Sequence, residues 1–528
     1  MNKLYLVVCM VALAWAFPAT GNTLNVPAQY PTMQAGIDAA TDGDTVLVAA
    51  GTYTENLVWE GKSIALIGAG ADVTTINGNQ SGSCLVMRNV PETGRVEGFT
   101  FTGGWAESGA GLRLDCSCPT VTKNTIRANW STGASWDTDG GGGVCLWYSS
   151  PTLTENTISD NIALYWGGGL KLWDSSPVLT NNTISDNLAC SGGGGLMLRR
   201  SSATLIENTI SGNLAYWGGG LAFDAAPALT SNTISHNWAC WGGGLHVQGG
   251  AVLLTNNTIS DNSVQYDGGG ILFIGSSATL TNCTFSANLA PNGSARACVL
   301  YGQDSPSNVE VTNCILWDGA NEILNKNNSA ITITYCDVQG GWPGEGNISA
   351  DPMFVAAGSG DYHLQAASPC INAGTNDAPS LPDTDKDGNP RIVGAAVDMG
   401  AYEWQGPKVI AVAIDIKPGS YPNAINLGSY GLIPVAILSD EEFDATTVDP
   451  QTVELAGAGV GVRGKGNKYM AHKEDVNADG LIDLVVQVAT ENLDPDSLQD
   501  GFAILSGKTF DGVPIEGKDE ITIVPAEK

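Results

Sequence analysis

Six segments of the chain align on a glycine triplet. They are GGGVCLWYSSPTLTENTISDN from Gly141, GGGLKLWDSSPVLTNNTISDN from Gly167, GGGLMLRRSSATLIENTISGN from Gly193, GGGLAFDAAPALTSNTISHN from Gly218, GGGLHVQGGAVLLTNNTISDN from Gly242 and GGGILFIGSSATLTNCTFSAN from Gly268. The triplets recur every 24 to 26 residues. A period this short, filled with brief alternating apolar runs and lacking a helical pattern, describes one coil of a solenoid with three short strands. Such a core grows along one axis, so 528 residues need not divide into several ordinary domains.

Strand alternation assigns the slots. Val144, Leu170, Leu196, Leu221, Leu245 and Ile271 point inward, as do the residues two further on, Leu146, Leu172, Leu198, Phe223, Val247 and Phe273. A second strand buries Leu153, Leu179, Leu205, Leu229, Leu253 and Leu280. Asn156, Asn182, Asn208, Asn232 and Asn257 mark the next bend, and Asn161, Asn187, Asn213, Asn237, Asn262 and Asn288 the one after it. An asparagine repeated at a bend bonds backbone groups that the turn would leave unpaired. The triplets supply positive φ at the remaining corner. Cys283, Cys314 and Cys336 share one context and are expected to stack as small buried thiols. The spacing of the 12 cysteines suits neither a disulfide framework nor a zinc site.

These coils resemble the PbH1-type repeats of the pectin-lyase-like superfamily, and TLNVPAQYPTMQAGIDAATDGDTVLVAAGTYTENLVWEGKSIALIGAG looks like that family's N-terminal segment. The resemblance implies an all-β fold, a right-handed parallel β-helix over residues 23–350, with TMQAGIDAA as a helix capping the open end. Residues 351–405 are similar to the closing segment of secreted bacterial β-helix proteins and read as terminal coils and a C-terminal cap. Past Gly406-Pro407-Lys408, the alternating runs of residues 408–528 predict a small β-sandwich. Lys3 followed by LYLVVCMVALAWAF reads as a signal peptide within residues 1–22, and no later stretch is long enough to span a membrane. The expected location is therefore secreted or cell-surface.

A net charge of −31 argues against nucleic acid as a partner, which requires a basic face, and suits calcium in an extracellular medium. Asp475-Val-Asn477-Ala-Asp479-Gly480-Leu481-Ile-Asp483 places oxygen ligands with the spacing of an EF-hand-type loop, with the Leu481 carbonyl as the backbone ligand, but Val486 stands where the closing glutamate would be. Asp383, Asp385 and Asp387 repeat the first half of that pattern, with Arg391 in place of a later ligand.

Nine of the fourteen tryptophans lie between Trp105 and Trp241. Trp166, Trp217 and Trp241 share the slot before the triplet, where Trp217 and Trp241 are expected to stack, and Trp147 and Trp173 share an outward strand slot. Coils about 4.8 Å apart turn such residues into aromatic rows that suit sugar rings. The expected partner is an extracellular polysaccharide or cell-surface glycan of neutral or weakly charged character. A polysaccharide lyase or glycosidase, and a structural or adhesive protein, are the alternatives. For catalysis the sequence is poor: from Asp139 to Ala290 the cations are Lys171, Arg199 and Arg200, and Lys171 and His246 sit in one slot three coils apart. His236, His363 and His472 show no partner pattern, and Asp137 with Asp139 is the one acidic pair worth weighing as a hydrolase pair.

Overall fold

The computed structural model describes residues 21–524 apart from 134, 136–138, 292–294, 302–305, 320, 327–328, 408, 465–467 and 499–500. Residues 1–20 of the predicted signal peptide, and Asp137, lie outside the described residues. Two units are present, residues 1–404 and 405–528.

The first unit is a right-handed parallel β-helix. Each central coil contributes to four sheets in turn. Val144–Trp147 belongs to sheet I (11 strands), Thr152–Thr154 to sheet II (13 strands), Thr157–Ser159 to sheet III (12 strands) and Ile162–Ala163 to sheet IV (7 strands). The fourth strand corrects the expectation of three per coil. It is often only two residues long, too short to show a period, and directly follows the second corner asparagine.

Register follows the sequence ladders. Val144, Leu170, Leu196, Leu221, Leu245 and Ile271 stack in sheet I and are fully buried. In sheet II, Leu153, Leu179, Leu205 and Leu229 are followed by Leu254 rather than Leu253. Leu254 is buried and Leu253 faces outward as the partner of Ala228. The asparagine corner sets the count, because the inward leucine always stands three residues before it.

Both asparagine rows form continuous hydrogen-bonded columns. Asn182 donates from its backbone N and from Nδ2 to Asn208 Oδ1, at 2.9 and 3.0 Å, and from Nδ2 to the Leu153 carbonyl at 2.9 Å. The row starts at Asn124 and passes through three cysteines to Asn347: Cys283 N donates to Cys314 Sγ at 3.3 Å, Cys314 N to Cys336 Sγ at 3.2 Å, and Cys336 N to Asn347 Oδ1 at 2.9 Å. The three thiols are buried and free and take the asparagine slot in successive coils. Each bond contributes about 1 kcal/mol net, but deleting one side chain also strands buried donors on the coil beside it.

The triplets do two things. Their first glycine has positive φ, 64° at Gly167 and 66° at Gly193, while a Cβ on the second, such as Gly168, would lie 2.6 Å from the Gly194 carbonyl. Backbones therefore stack at this corner without side chains between them.

A seven-residue helix, α1 (Met33–Ala39), follows the first strand; Thr32 caps its N-terminus and Met33, Gly36 and Ile37 are buried. Residues 351–404 contain one antiparallel pair, Phe354–Ala356 with Asp361–Leu364. They then run back over the solenoid: Asn282 Nδ2 donates to the Asp398 carbonyl, Asn256 Nδ2 to that of Thr384, and Lys386 Nζ to that of Ser231.

The second unit has a five-stranded and a four-stranded sheet, mainly antiparallel, around one apolar core that includes Ile416, Val435, Leu455, Val486 and Leu505. Among the described residues no helix is long and apolar enough to cross a membrane.

Candidate functional site

The outward ladder of sheet I runs Arg113, Cys145, Lys171, Met197, Ala222, His246, Leu272. Outward residues of a solenoid normally meet solvent, yet Lys171, Ala222, His246 and Leu272 are buried. A groove forms over this sheet. One cleft of it, ≈ 400 Å³, is lined by Trp166, Met197, Arg199, Trp217, Asp224 and His246, among others. A second, ≈ 390 Å³, is lined by Glu107, Ser108, Arg113, Asp115, Asp139, Cys145 and Trp147. Lys171 lies between them on the ladder; it is fully buried and its Nζ donates to the Asp139 carbonyl at 2.7 Å.

Local sequence places the walls. Trp166 and Trp217 stand immediately before their triplets. Their rings stack at 6.1 Å and 19°, although they are two coils apart, because the intervening coil has Gly192 in that slot. A Cβ on Gly192 would lie 2.7 Å from Trp166 Cζ3. Trp217 also meets Tyr216 edge-on at 4.7 Å and the His246 ring at 6.5 Å. The expected Trp217 and Trp241 are neighbours in register, but the stack that walls the cleft is the one across Gly192. Trp241 packs instead against Tyr266 at 4.9 Å and the buried pair Leu272 and Ala295.

Trp147 and Trp173 stack as expected, at 5.2 Å and 10°. Trp173 is further enclosed by cations, with the Arg200 guanidinium 4.6 Å, that of Arg199 5.4 Å and Lys171 Nζ 5.6 Å from its ring. It serves as a platform for these charges, and Trp147 is the member of the pair that lines a cleft.

The arginines of the groove are paired internally. Arg199 Nε lies 3.3 Å from Asp224 Oδ2, Arg113 Nε 3.0 Å from Asp115 Oδ1, and Arg200 pairs with Asp174. Burial pushes the His246 imidazole down to about 4, so the ring is neutral near pH 7. Burial likewise raises the Cys145 thiol, the opposite of what a nucleophile needs. Lys171 and His246 remain separated by Met197 and Ala222.

A further aromatic row stands outside the sequence-predicted set. Sheet IV carries Trp105, Trp130, Ile162, Leu188, Leu214 and Trp238 in one outward ladder. Trp105, Trp130, Leu214 and Trp238 are 39%, 37%, 39% and 38% exposed. The signal was present, since each stands directly after its corner asparagine or, for Trp105, in the equivalent place.

Of the two calcium-type loops, the Asp475 loop keeps an oxygen to spare. Asp475 Oδ2 accepts Gly480 N at 3.0 Å, whereas its buried Oδ1 has no hydrogen-bond partner. Asn477 Oδ1 accepts Asp479 N, Asp479 Oδ1 accepts Leu481 N, and Asp483 braces the loop through Val476 N and Ser439 N. In the Asp383 loop the Asp383 side chain is exposed, while Asp385 and Asp387 spend carboxylate oxygens internally. Asp385 accepts the backbone N–H of Asp387, Asn389 and Glu403. Asp387 Oδ2 lies 2.6 Å from His363 Nε2, and Arg391 is buried with its guanidinium on the Ala401, Asp398 and Gly400 carbonyls. His363 thus has carboxylates on both nitrogens, Asp361 also at 2.6 Å. Burial opposes charge on that ring, but the two carboxylates outweigh it and raise its pKa. Among the described residues no three His, Cys, Asp or Glu side chains cluster with metal-holding geometry.

The family described as the right handed beta helix region matches residues 64–213, 96–251 and 243–351, together more than half of the chain. The chain belongs to that family. No curated protein matches it. Among solved structures, it is similar to pectate lyase Pel9A, with 15% identity, a TM-score of 0.40 and coverage of 73% of this chain and 96% of that one. The PL6 family alginate lyase AlyGC gives 13%, 0.38, 74% and 61%. The Azotobacter vinelandii mannuronan C-5 epimerase AlgE4 A-module gives 15%, 0.31, 60% and 95%. Likenesses at this level assign no chemistry to this chain.

Proposed function

We propose that the groove over sheet I binds an extended, uncharged polysaccharide, and that the protein acts outside the cell as a glycan-binding β-helix. The observation that carries this reading is the stacked Trp166 and Trp217 wall beside a ≈ 400 Å³ cleft whose cation, Arg199, is already paired with Asp224. Flat apolar faces next to neutral and paired polar groups suit the faces and hydroxyls of neutral sugars. A polyuronate would have to break those ion pairs and approach a chain of net charge −31. Calcium in the Asp475 loop, held by Asp475, Asn477 and Asp479 with the Leu481 carbonyl, belongs to the same proposal as a structural ion. The unpartnered Asp475 Oδ1 supports it.

Affinity electrophoresis through gels containing β-glucan, mannan, xylan, pectate or alginate tests the reading. The expected result is retardation by at least one neutral polymer and by neither polyuronate. Migration unaffected by every polymer would remove the binding role, and release of reducing ends or unsaturated uronides would move the groove to a degrading enzyme.

A further inference from the structure

The second unit contains a cluster of oxygen donors distant in sequence from the Asp475 loop. A surface cavity of ≈ 400 Å³ is lined by Ile414, Asp415, Ser420, Tyr421, Asn423 and Asp519, among others. Asn423 is only 4% exposed. Its Nδ2 donates to Asp519 Oδ2 and to the Glu520 carbonyl, both at 2.9 Å. Those two acceptors fix the amide's orientation, because a flipped group would set oxygen against oxygen. Asn423 Oδ1 is thereby left buried with no hydrogen-bond partner. Such an oxygen costs about 1–3 kcal/mol unless something electropositive meets it.

Two carboxylates share the cavity. Asp519 is held in place by the backbone N–H of Ile416 and Glu520. Asp415 is half-buried, and among the described residues its carboxylate has no hydrogen bond or ion pair. The neighbouring cations turn elsewhere: Lys417 Nζ donates to the Ala424 carbonyl, and Lys518 Nζ lies 5.6 Å from the Phe502 ring.

We infer that Asp415, Asp519 and the amide oxygen of Asn423 bind a divalent cation of the calcium class, at a site separate from the Asp475 loop. All three donors are hard oxygens, which selects calcium or magnesium over zinc or copper. The opening to solvent leaves room for waters to complete a calcium shell of about six to eight oxygens, whereas the mixed, unequal donor set suits magnesium's strict octahedron poorly. The ion supplies the missing counter-charge to both acids and the missing partner to Asn423. It also ties the strand Ile414–Ile416 to the strand Pro514–Glu520.

The test titrates calcium chloride into the full chain by calorimetry, in a background carrying Asp475→Asn and Asp479→Asn, so that the loop and this cavity are read separately. One binding event is expected to persist there and to weaken at least about tenfold when Asp415→Asn is added. In EDTA, Asp415→Asn is expected to melt no lower than its parent, since it removes only repulsion. Absence of an event in the loop-disabled background, or an event that Asp415→Asn leaves unchanged, would overturn the inference. Loss of the loop's calcium alone would bear only on the loop. If the loop-disabled chain does not fold, the stoichiometry of the wild type against the Asp415→Asn single variant decides: one site fewer supports the site, and equal numbers contradict it.

Discussion

Two rows of tryptophan run along the same solenoid, three residues apart on strands such as Trp238–Trp241, and they do different things. The row of sheet IV, Trp105, Trp130 and Trp238, is well exposed, lies among Ile162, Leu188 and Leu214, and its Trp105 and Trp130 rings meet tilted at 45°. The row before the triplets is half-buried, has rings nearly parallel at 19°, and faces Arg199, Asp224 and His246 across a cleft. Exposure alone would rank the first row higher. Orientation and polar company favour the second, because a sugar needs a flat face and hydroxyl partners in one place.

The comparison can be broken most severely at the glycine corner that follows both rows. A Cβ on Gly219 would lie 2.6 Å from the Gly243 and Trp238 carbonyls. Gly219→Ala is expected to cost 3 kcal/mol or more, on the order of severe overpacking, and to disturb both rows together. Chemical denaturation would read this as a lowered midpoint.

Next in size is the pH response of the groove floor. His246 has a folded pKa of about 4 against an ordinary 6.5, so between those values the unfolded chain takes a proton that the folded chain refuses. Stability from this group is full above pH 6.5 and falls as pH drops toward 4, by roughly 3 kcal/mol in all. His246→Leu, which continues the apolar neighbours Ala222 and Leu272, is expected to flatten that part of the profile. An unchanged slope would mean that the Trp217 side of the groove admits water to the ring.

Single-ring deletions then separate the rows directly. Trp217→Ala is expected to weaken polysaccharide binding about tenfold, or ~1.4 kcal/mol, and Trp130→Ala by less than about twofold. Gly192→Ala should have a smaller effect than Trp217→Ala, about threefold, since it displaces the Trp166 ring without removing it. Affinity electrophoresis measures all three, and comparable losses at Trp130 and Trp217 would erase the distinction between the rows.

The coil was readable because each slot repeats one residue type: the glycine corner, the two asparagine columns and the aliphatic ladders come from identity at a fixed spacing. Leu253 was misplaced because two leucines adjoin there and only distance from Asn257 tells them apart. The sheet IV strand escaped because two residues show no alternation. For the groove, the tryptophans and Lys171 were visible, but the pairing of Trp166 with Trp217 was not. It depends on an absent side chain at Gly192, and linear reading pairs neighbours rather than residues across a gap. His363 showed the same limit, since Asp387 is distant in sequence and reaches it only through the fold of the returning segment. Asn423 and Asp519 lie farther apart still, and no local spacing joins them.

Oxidative footprinting of the tryptophans with and without a retained neutral polysaccharide addresses the central claim most directly. The expected result is ligand-dependent protection of Trp166 and Trp217 with Trp105, Trp130 and Trp238 unchanged. Protection of the sheet IV row, with Trp166 and Trp217 as reactive as in the free protein, would contradict it.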